Sequence, residues 1–346
     1  MNFKLTTGRL LAATIVVLAV WIVHAFVEAM LAAGVVAIAS WPLYAAFRAR
    51  LPSAVSTTAG AAIFTATIAL FVLAPIAFAC WALLSEAHSL LLGLAAADSR
   101  GMAVPEWLAG TPGVGAWLAE RWQSQLAHPG ALLLMTQHAD PATLLGWAQS
   151  LGRFTAHNAL TVGFAILLLA FLYQEGPSLA RELTCTLRRT VGERADRFVD
   201  AATRAVRASV YSMVAVALFD GLATAATYHF AGVPRALLWA AIIGSMGAVP
   251  FLGYAVVVAM ALQLALKGAP TVALLSLLLG AAALMCGDKL VRPIVARGGL
   301  RLPFVWVLMA CIGGFGVLGL AGLVIGPVAL SLVRELWEQR RLDGPL

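Results

Sequence analysis

The chain has 346 residues, of which 62% are hydrophobic and 11% charged, with a mean hydropathy of +0.91. Soluble domains carry about 25% charged residues, so this composition excludes one and defines an integral membrane protein. The net charge of +7 resides in short basic loops between apolar runs rather than on one amphipathic face, which argues against nucleic acid as a partner.

Apolar segments fall near 10–27, 31–47, 60–84, 158–174, 209–230, 236–266, 270–287 and 303–333. They predict an all-α polytopic membrane protein of about eight hydrophobic segments, with the lipid bilayer as its first partner. The first run follows Lys4 and Arg9 as a signal peptide would. It lacks a small-residue cleavage site and another apolar run follows at once, so it reads as a retained span. Cys80, Cys185, Cys286 and Cys311 have no metal-ligand spacing, and three of them lie in apolar runs, where cysteine behaves as a small hydrophobe. No disulfide framework, metal or cofactor is expected.

Residues 85–156 interleave Trp107, Trp117, Trp122 and Trp147 with Gly, Pro and polar residues. Tryptophan favours the membrane interface, so short helices on the extracytoplasmic bilayer surface are expected, a small soluble domain being the alternative. Over 175–207, Arg181, Arg188, Arg189, Arg194, Arg197, Arg204 and Arg207 alternate with Glu182, Glu193, Asp196 and Asp200, as on a helix that anchors the cytoplasmic side. The expected organisation is N-terminal spans over 1–84, the interfacial region 85–156, a fourth span plus Arg-rich amphipathic helix over 157–207, and a transport region over 208–346.

Residues 234–266 and 303–333 match each other at an offset of 69: Pro234, Gly244, Gly247 and Gly253 fall on Pro303, Gly313, Gly316 and Gly322. The longer of the two, as one straight helix, would reach ~50 Å at 1.5 Å per residue, against a hydrocarbon core of ~30 Å. Breaks are expected at Gly247–Pro250 and Gly316–Gly319. If both stretches are re-entrant hairpins, the loop carrying Lys289, Arg292, Arg297 and Arg301 becomes cytoplasmic, which the positive-inside rule favours. Both termini are cytoplasmic in either arrangement, and, with hairpins, 209–266 and 270–333 form an inverted repeat. Paired broken segments of this kind point to the binding site of a secondary transporter.

Ionisable groups inside apolar spans carry the chemistry, because each costs roughly 2.5–3.5 kcal/mol on insertion scales unless paired or watered. Asp220 lies midway through the fifth segment, with Thr224 one turn later on the same face. It reads as a proton or cation site, or as a packing carboxylate in a structural ion pair. Asp288 closes the seventh segment at nearly the same place in the second repeat; with Lys289 and Arg292 close by, it reads equally as a site member or as a boundary charge. Arg292 is placed to pair with Asp288 at i,i+4 or to meet an anionic group. Gly247, Pro250 and Gly253, and Gly316 and Gly319, serve either close helix packing or unwound tips that offer backbone dipoles to a solute. Tyr254 and Gln263 are polar handles near the first hairpin. His24, Glu28 and Glu86 lie near span ends, where a solvated or snorkelling role is the default.

The run Asp288-Lys289-Leu290-Val291-Arg292-Pro293, followed by Leu302-Pro303, Gly313-Gly314-Phe315-Gly316-Val317-Leu318-Gly319-Leu320 and Gly326-Pro327, resembles the C-terminal signature of the autoinducer-2 exporter family. Gly232-Val233-Pro234 and Val249-Pro250-Phe251-Leu252-Gly253 are similar to the preceding hydrophobic block of that family. The resemblance is specific from about Asp220 to Val333. It implies a bacterial inner-membrane protein with eight hydrophobic segments, forming a homo-oligomer, that moves a small solute; members have been linked to a sugar-like signal and to exchange of sodium or lithium for protons. It also lends weight to Arg292 and Pro293 as site residues.

An enzyme is not expected. No nucleotide-binding glycine loop, HExxH or Ser/His/Asp cluster is present, and an Asp220/Asp288 protease dyad lacks fitting flanks. The expected function is export of a small hydrophilic metabolite or signalling molecule by alternating access. The alternatives are a Na+(Li+)/H+ antiporter and a non-transporting membrane scaffold.

Overall fold

The computed structural model describes residues 27–52, 55–98, 115–126, 141–192, 194–247, 252–295 and 304–342, with isolated positions between 14 and 26. Its elements are α1 (Val27–Arg50), α2 (Thr57–Asp98), α3 (Gly115–Leu126), α4 (Pro141–Val191), α5 (Arg194–Phe230), α6 (Ala236–Gly247), α7 (Leu252–Leu266), α8 (Pro270–Cys286), a π-helical turn (Gly287–Val291), α9 (Arg292–Val295) and α10 (Phe304–Leu342). Among the described residues there is no strand, and the protein is an all-α polytopic membrane protein.

Five stretches are long and apolar enough to cross a membrane: Val27–Arg50, Thr57–Ala82, Ala156–Thr190, Ala195–Phe230 and Pro270–Val295. Their outward faces are apolar, with Leu222 and Phe230 73% and 88% exposed, as lipid rather than water requires. The first apolar run, near 10–27, lies largely outside the described residues. The seventh segment continues past residue 287 to Val295, so Asp288 is within the helix rather than at its end.

Both long repeat stretches are broken. The first divides into α6 and α7, whose facing side chains Trp239, Ile242, Ile243, Val257, Met260 and Leu264 share one buried cluster. The second bends at Leu318 (φ −125°, ψ 19°) and Gly319 (φ 54°, ψ −142°). Its two halves then run antiparallel. A β-carbon at Gly314 would collide with Gly322, and one at Gly326 with the Ala310 carbonyl, so glycine alone permits this approach. Pro327 has no N–H for the carbonyl of Leu323 four residues earlier, and the Cys311 thiol donates to that oxygen instead, at 3.5 Å. The half-helices Val305–Gly319 and Ala321–Arg334 are each only ~20–23 Å long at 1.5 Å per residue, short of a full crossing.

Where residues 85–156 are described, they are not separate short helices alone. α2 runs on to Asp98 and α4 starts at Pro141, so both flanking helices extend into it, and α3 is the short helix described between them. The Arg-rich stretch 175–207 is not one helix either. Gly192 takes φ 70°, reversing the chain between α4 and α5, and Arg188 clamps the turn through two bonds to Asp196, 3.1 and 2.7 Å.

Residues divide into two compact units: Met1–Leu70, Thr155–Tyr211 and Val295–Leu346 form one, and Phe71–Phe154 with Ser212–Ile294 the other. In the first, Tyr44 stacks on Tyr173 (4.6 Å) and Phe64 meets Tyr173 edge-on (5.1 Å), with alanines 33, 37 and 61 letting the helices approach. Pro42 within α1 cannot donate to the Ile38 carbonyl. Arg207 Nε fills the vacancy at 3.1 Å, and the Tyr211 hydroxyl donates to Ala39 O at 2.7 Å. A proline break inside a membrane helix is thus made good by side chains of α5.

Candidate functional site

The second unit contains the carboxylate that the sequence marks most strongly. Asp220, on α5, is 1% exposed, and its Oδ1 has no hydrogen-bond partner. Two glycines from different elements close on it. A β-carbon at Gly247, the last residue of α6, would lie 2.7 Å from Oδ2, and one at Gly287, the first residue of the π turn, would collide with Oδ1. The carboxylate therefore sits in a cradle that only hydrogen-bearing α-carbons can form. Its floor is the close crossing of α5 and α6, where Gly221 and Gly244 approach backbone to backbone.

The same face of α5 continues with Thr224 and Tyr228, both fully buried. Thr224 donates its hydroxyl to the Asp220 carbonyl at 2.5 Å, so it is occupied by its own helix. The Tyr228 hydroxyl has no partner and lies against Gly280 of α8. The α8 glycines at 280 and 287 thus face Tyr228 and Asp220, an antiparallel match of small residues to polar ones.

Immediately beyond Gly287 the helix widens. The Arg292 N–H donates to the Gly287 carbonyl, five residues back, over Gly287–Val291. Such π turns are rare and cluster at functional positions. In it, Arg292 holds Asp288 through Nη2 at 2.8 Å and Nε at 3.3 Å, the i,i+4 pairing expected from the sequence. The Tyr254 hydroxyl of α7 donates to the other Asp288 oxygen at 3.3 Å, which gives that polar handle a partner.

The remaining sequence candidates scatter. Gly253 is buried against Leu284 and Gly247 and has a packing role in the first hairpin. Pro293 is exposed in α9. Gly316 has open space around it, whereas Gly319 forms the bend of α10. Pro250 lies outside the described residues, as does the side chain of Glu86. Sequence reasoning missed Gly280 and Gly287; their seven-residue spacing along an apolar helix was the available signal. Among the described residues no group of three or more His, Cys, Asp or Glu is placed to hold a metal ion.

A model of the AI-2E family of transporters matches residues 10–341. The chain belongs to the AI-2E transporter family. It is similar to "Putative transport protein YdiK" of Escherichia coli (strain K12), with 28% identity over 286 residues, covering 80% of this chain and 74% of the relative. An Aquifex aeolicus (strain VF5) chain named "Putative transport protein" is 31% identical over 182 residues, 51% of each chain. A Buchnera aphidicola subsp. Baizongia pistaciae chain of the same designation is 28% identical over 235 residues, 67% of this chain and 62% of its own length. This AI-2E family member is therefore a membrane transporter with a buried carboxylate, a π turn and two broken helices in its C-terminal half.

Proposed function

We propose that this transporter exports a small hydrophilic metabolite or signalling molecule across the bacterial inner membrane by alternating access, and that Asp220 holds the coupling ion. The observation that carries the ion assignment is the unpartnered Oδ1 of a fully buried carboxylate between Gly247 and Gly287. A lone buried carboxylate is costly unless neutralised, and a proton or a small monovalent cation is the occupant the cradle has room for. A sugar-sized solute does not fit where a single methyl group collides. The solute belongs instead at the break of the second hairpin, where Leu318 and Gly319 leave the helical ladder. The Asp288–Arg292–Tyr254 group supplies the polar wall beside the ion, with Pro293 in the helical turn that follows the π turn and Thr224 holding the α5 backbone next to Asp220. The hairpins are re-entrant, both termini are cytoplasmic and the protein works as a homo-oligomer.

The same tight cradle favours a second reading, a Na+(Li+)/H+ antiporter, because nothing larger than an ion need pass Asp220. Flux in proteoliposomes separates the two. With sodium or lithium gradients imposed and a pH dye inside, a cation-driven pH change lost in Asp220→Asn supports antiport. A pH change that requires an added metabolite, also lost in Asp220→Asn, supports coupled export. Flux of either kind that survives in a folded Asp220→Asn protein removes Asp220 from the mechanism.

A further inference from the structure

The second hairpin meets an ionisable group of its own. Gly319 at the bend has φ 54° and ψ −142°, backbone that side-chain-bearing residues avoid. A β-carbon there would collide with Oε1 of Glu28, so the carboxylate lies directly against the bend. The other oxygen, Oε2, stands 3.0 Å from Nε2 of His157. Glu28 is in the first turn of α1 and His157 is on α4, so two helices converge on the turn of a third.

Among the described residues, few other charges stand near this pair in sequence. His24 stands four residues before Glu28, ahead of α1; on α4, Arg153 precedes His157 by one turn and its Nε donates to Gln149 O at 3.4 Å. From Phe304 to Val333 the hairpin carries no Asp, Glu, Lys, Arg or His, and the Cys311 thiol is turned to Leu323 O. α5 reaches α1 through Arg207 and Tyr211, at Ile38 and Ala39, more than two turns along from Glu28. Among the described residues, the Glu28–His157 pair is the ion pair placed at the bend.

We propose that Glu28 and His157 form a proton-binding site that latches the tip of the second hairpin, separate from the ion site at Asp220. With a proton on Nε2 and a charged imidazolium, the pair is a charge-assisted hydrogen bond, shorter and stronger than a neutral one. Losing that charge weakens the bond, and a shift of the remaining proton to Nδ1 abolishes it. The carboxylate is held against Gly319 while the pair is intact, and rising pH frees it and the bend together. The site takes up one proton per chain, and its operation does not depend on whether Asp220 carries the coupling ion.

The test is optical and needs no transport. Val317, two residues before the bend and 81% exposed, is replaced by cysteine in a full-length protein whose four native cysteines are alanine, then labelled with bimane and reconstituted in liposomes. Emission is followed from pH 5 to 9 at fixed sodium. A single red-shifting transition with rising pH is expected, and it disappears in Glu28→Gln and in His157→Gln, either of which suffices if the other does not fold. Emission that is flat with pH, a transition retained in a folded variant of either residue, or a shift driven by sodium at constant pH would each overturn the proposal.

Discussion

Gly287 touches the carboxylate of Asp220: a β-carbon added at that position would collide with Oδ1. This contact joins the start of the π turn to the middle of α5, so any change in the carboxylate is felt where Arg292 and Asp288 are paired.

Gly287→Ala should therefore act on transport before it acts on folding. Overpacking of this kind costs about 1–3 kcal/mol, and the displaced group is the carboxylate itself. A tenfold or greater fall in flux is expected, with a modest fall in detergent melting temperature. Gly163→Ala, at a helical position with open space around it, should leave flux unchanged and stability equal or slightly raised.

Arg292 and Asp288 should show coupling in a double-mutant cycle. Arg292→Gln leaves a half-buried carboxylate with Tyr254 as its one remaining side-chain partner among the described residues, at a cost of about 1–3 kcal/mol. Adding Asp288→Asn should recover part of that loss when unfolding is followed by denaturant in micelles. Strict additivity would mean that the pair is solvated and idle.

Arg207→Ala should destabilise by about 1–3 kcal/mol through the orphaned Ile38 carbonyl. Pro42→Ala restores an N–H to that oxygen, so the double variant should be more stable than Arg207→Ala alone. If Pro42→Ala gives no rescue in thermal unfolding, the proline is not what makes Arg207 necessary.

Much of this fold is written in local chemistry. The length of the two repeat stretches and their glycines locate both breaks, at the end of α6 and at Leu318–Gly319. A carboxylate amid Phe219 and Gly221 is conspicuous because lipid penalises it. What was not legible depends on which helices meet. Gly287 looks like any small residue until α8 is laid beside α5, and Glu28 looks like a span-end charge until the bend of α10 arrives against it. The Arg-rich stretch reads as one helix because opposite charges three and four apart satisfy either arrangement; Gly192 with its positive φ decides the matter.

The most direct test of Asp220 as the ion-holding group is its reaction with a hydrophobic carbodiimide, which attacks protonated carboxyls within the membrane. The protein in liposomes would be treated at several pH values, with and without sodium or lithium, and adducts located by peptide mass spectrometry. An adduct at Asp220 that diminishes as pH rises or as cation is added is the expected result. An Asp220 that stays unmodified under every condition while other membrane carboxyls react would contradict its assignment as a proton or cation site.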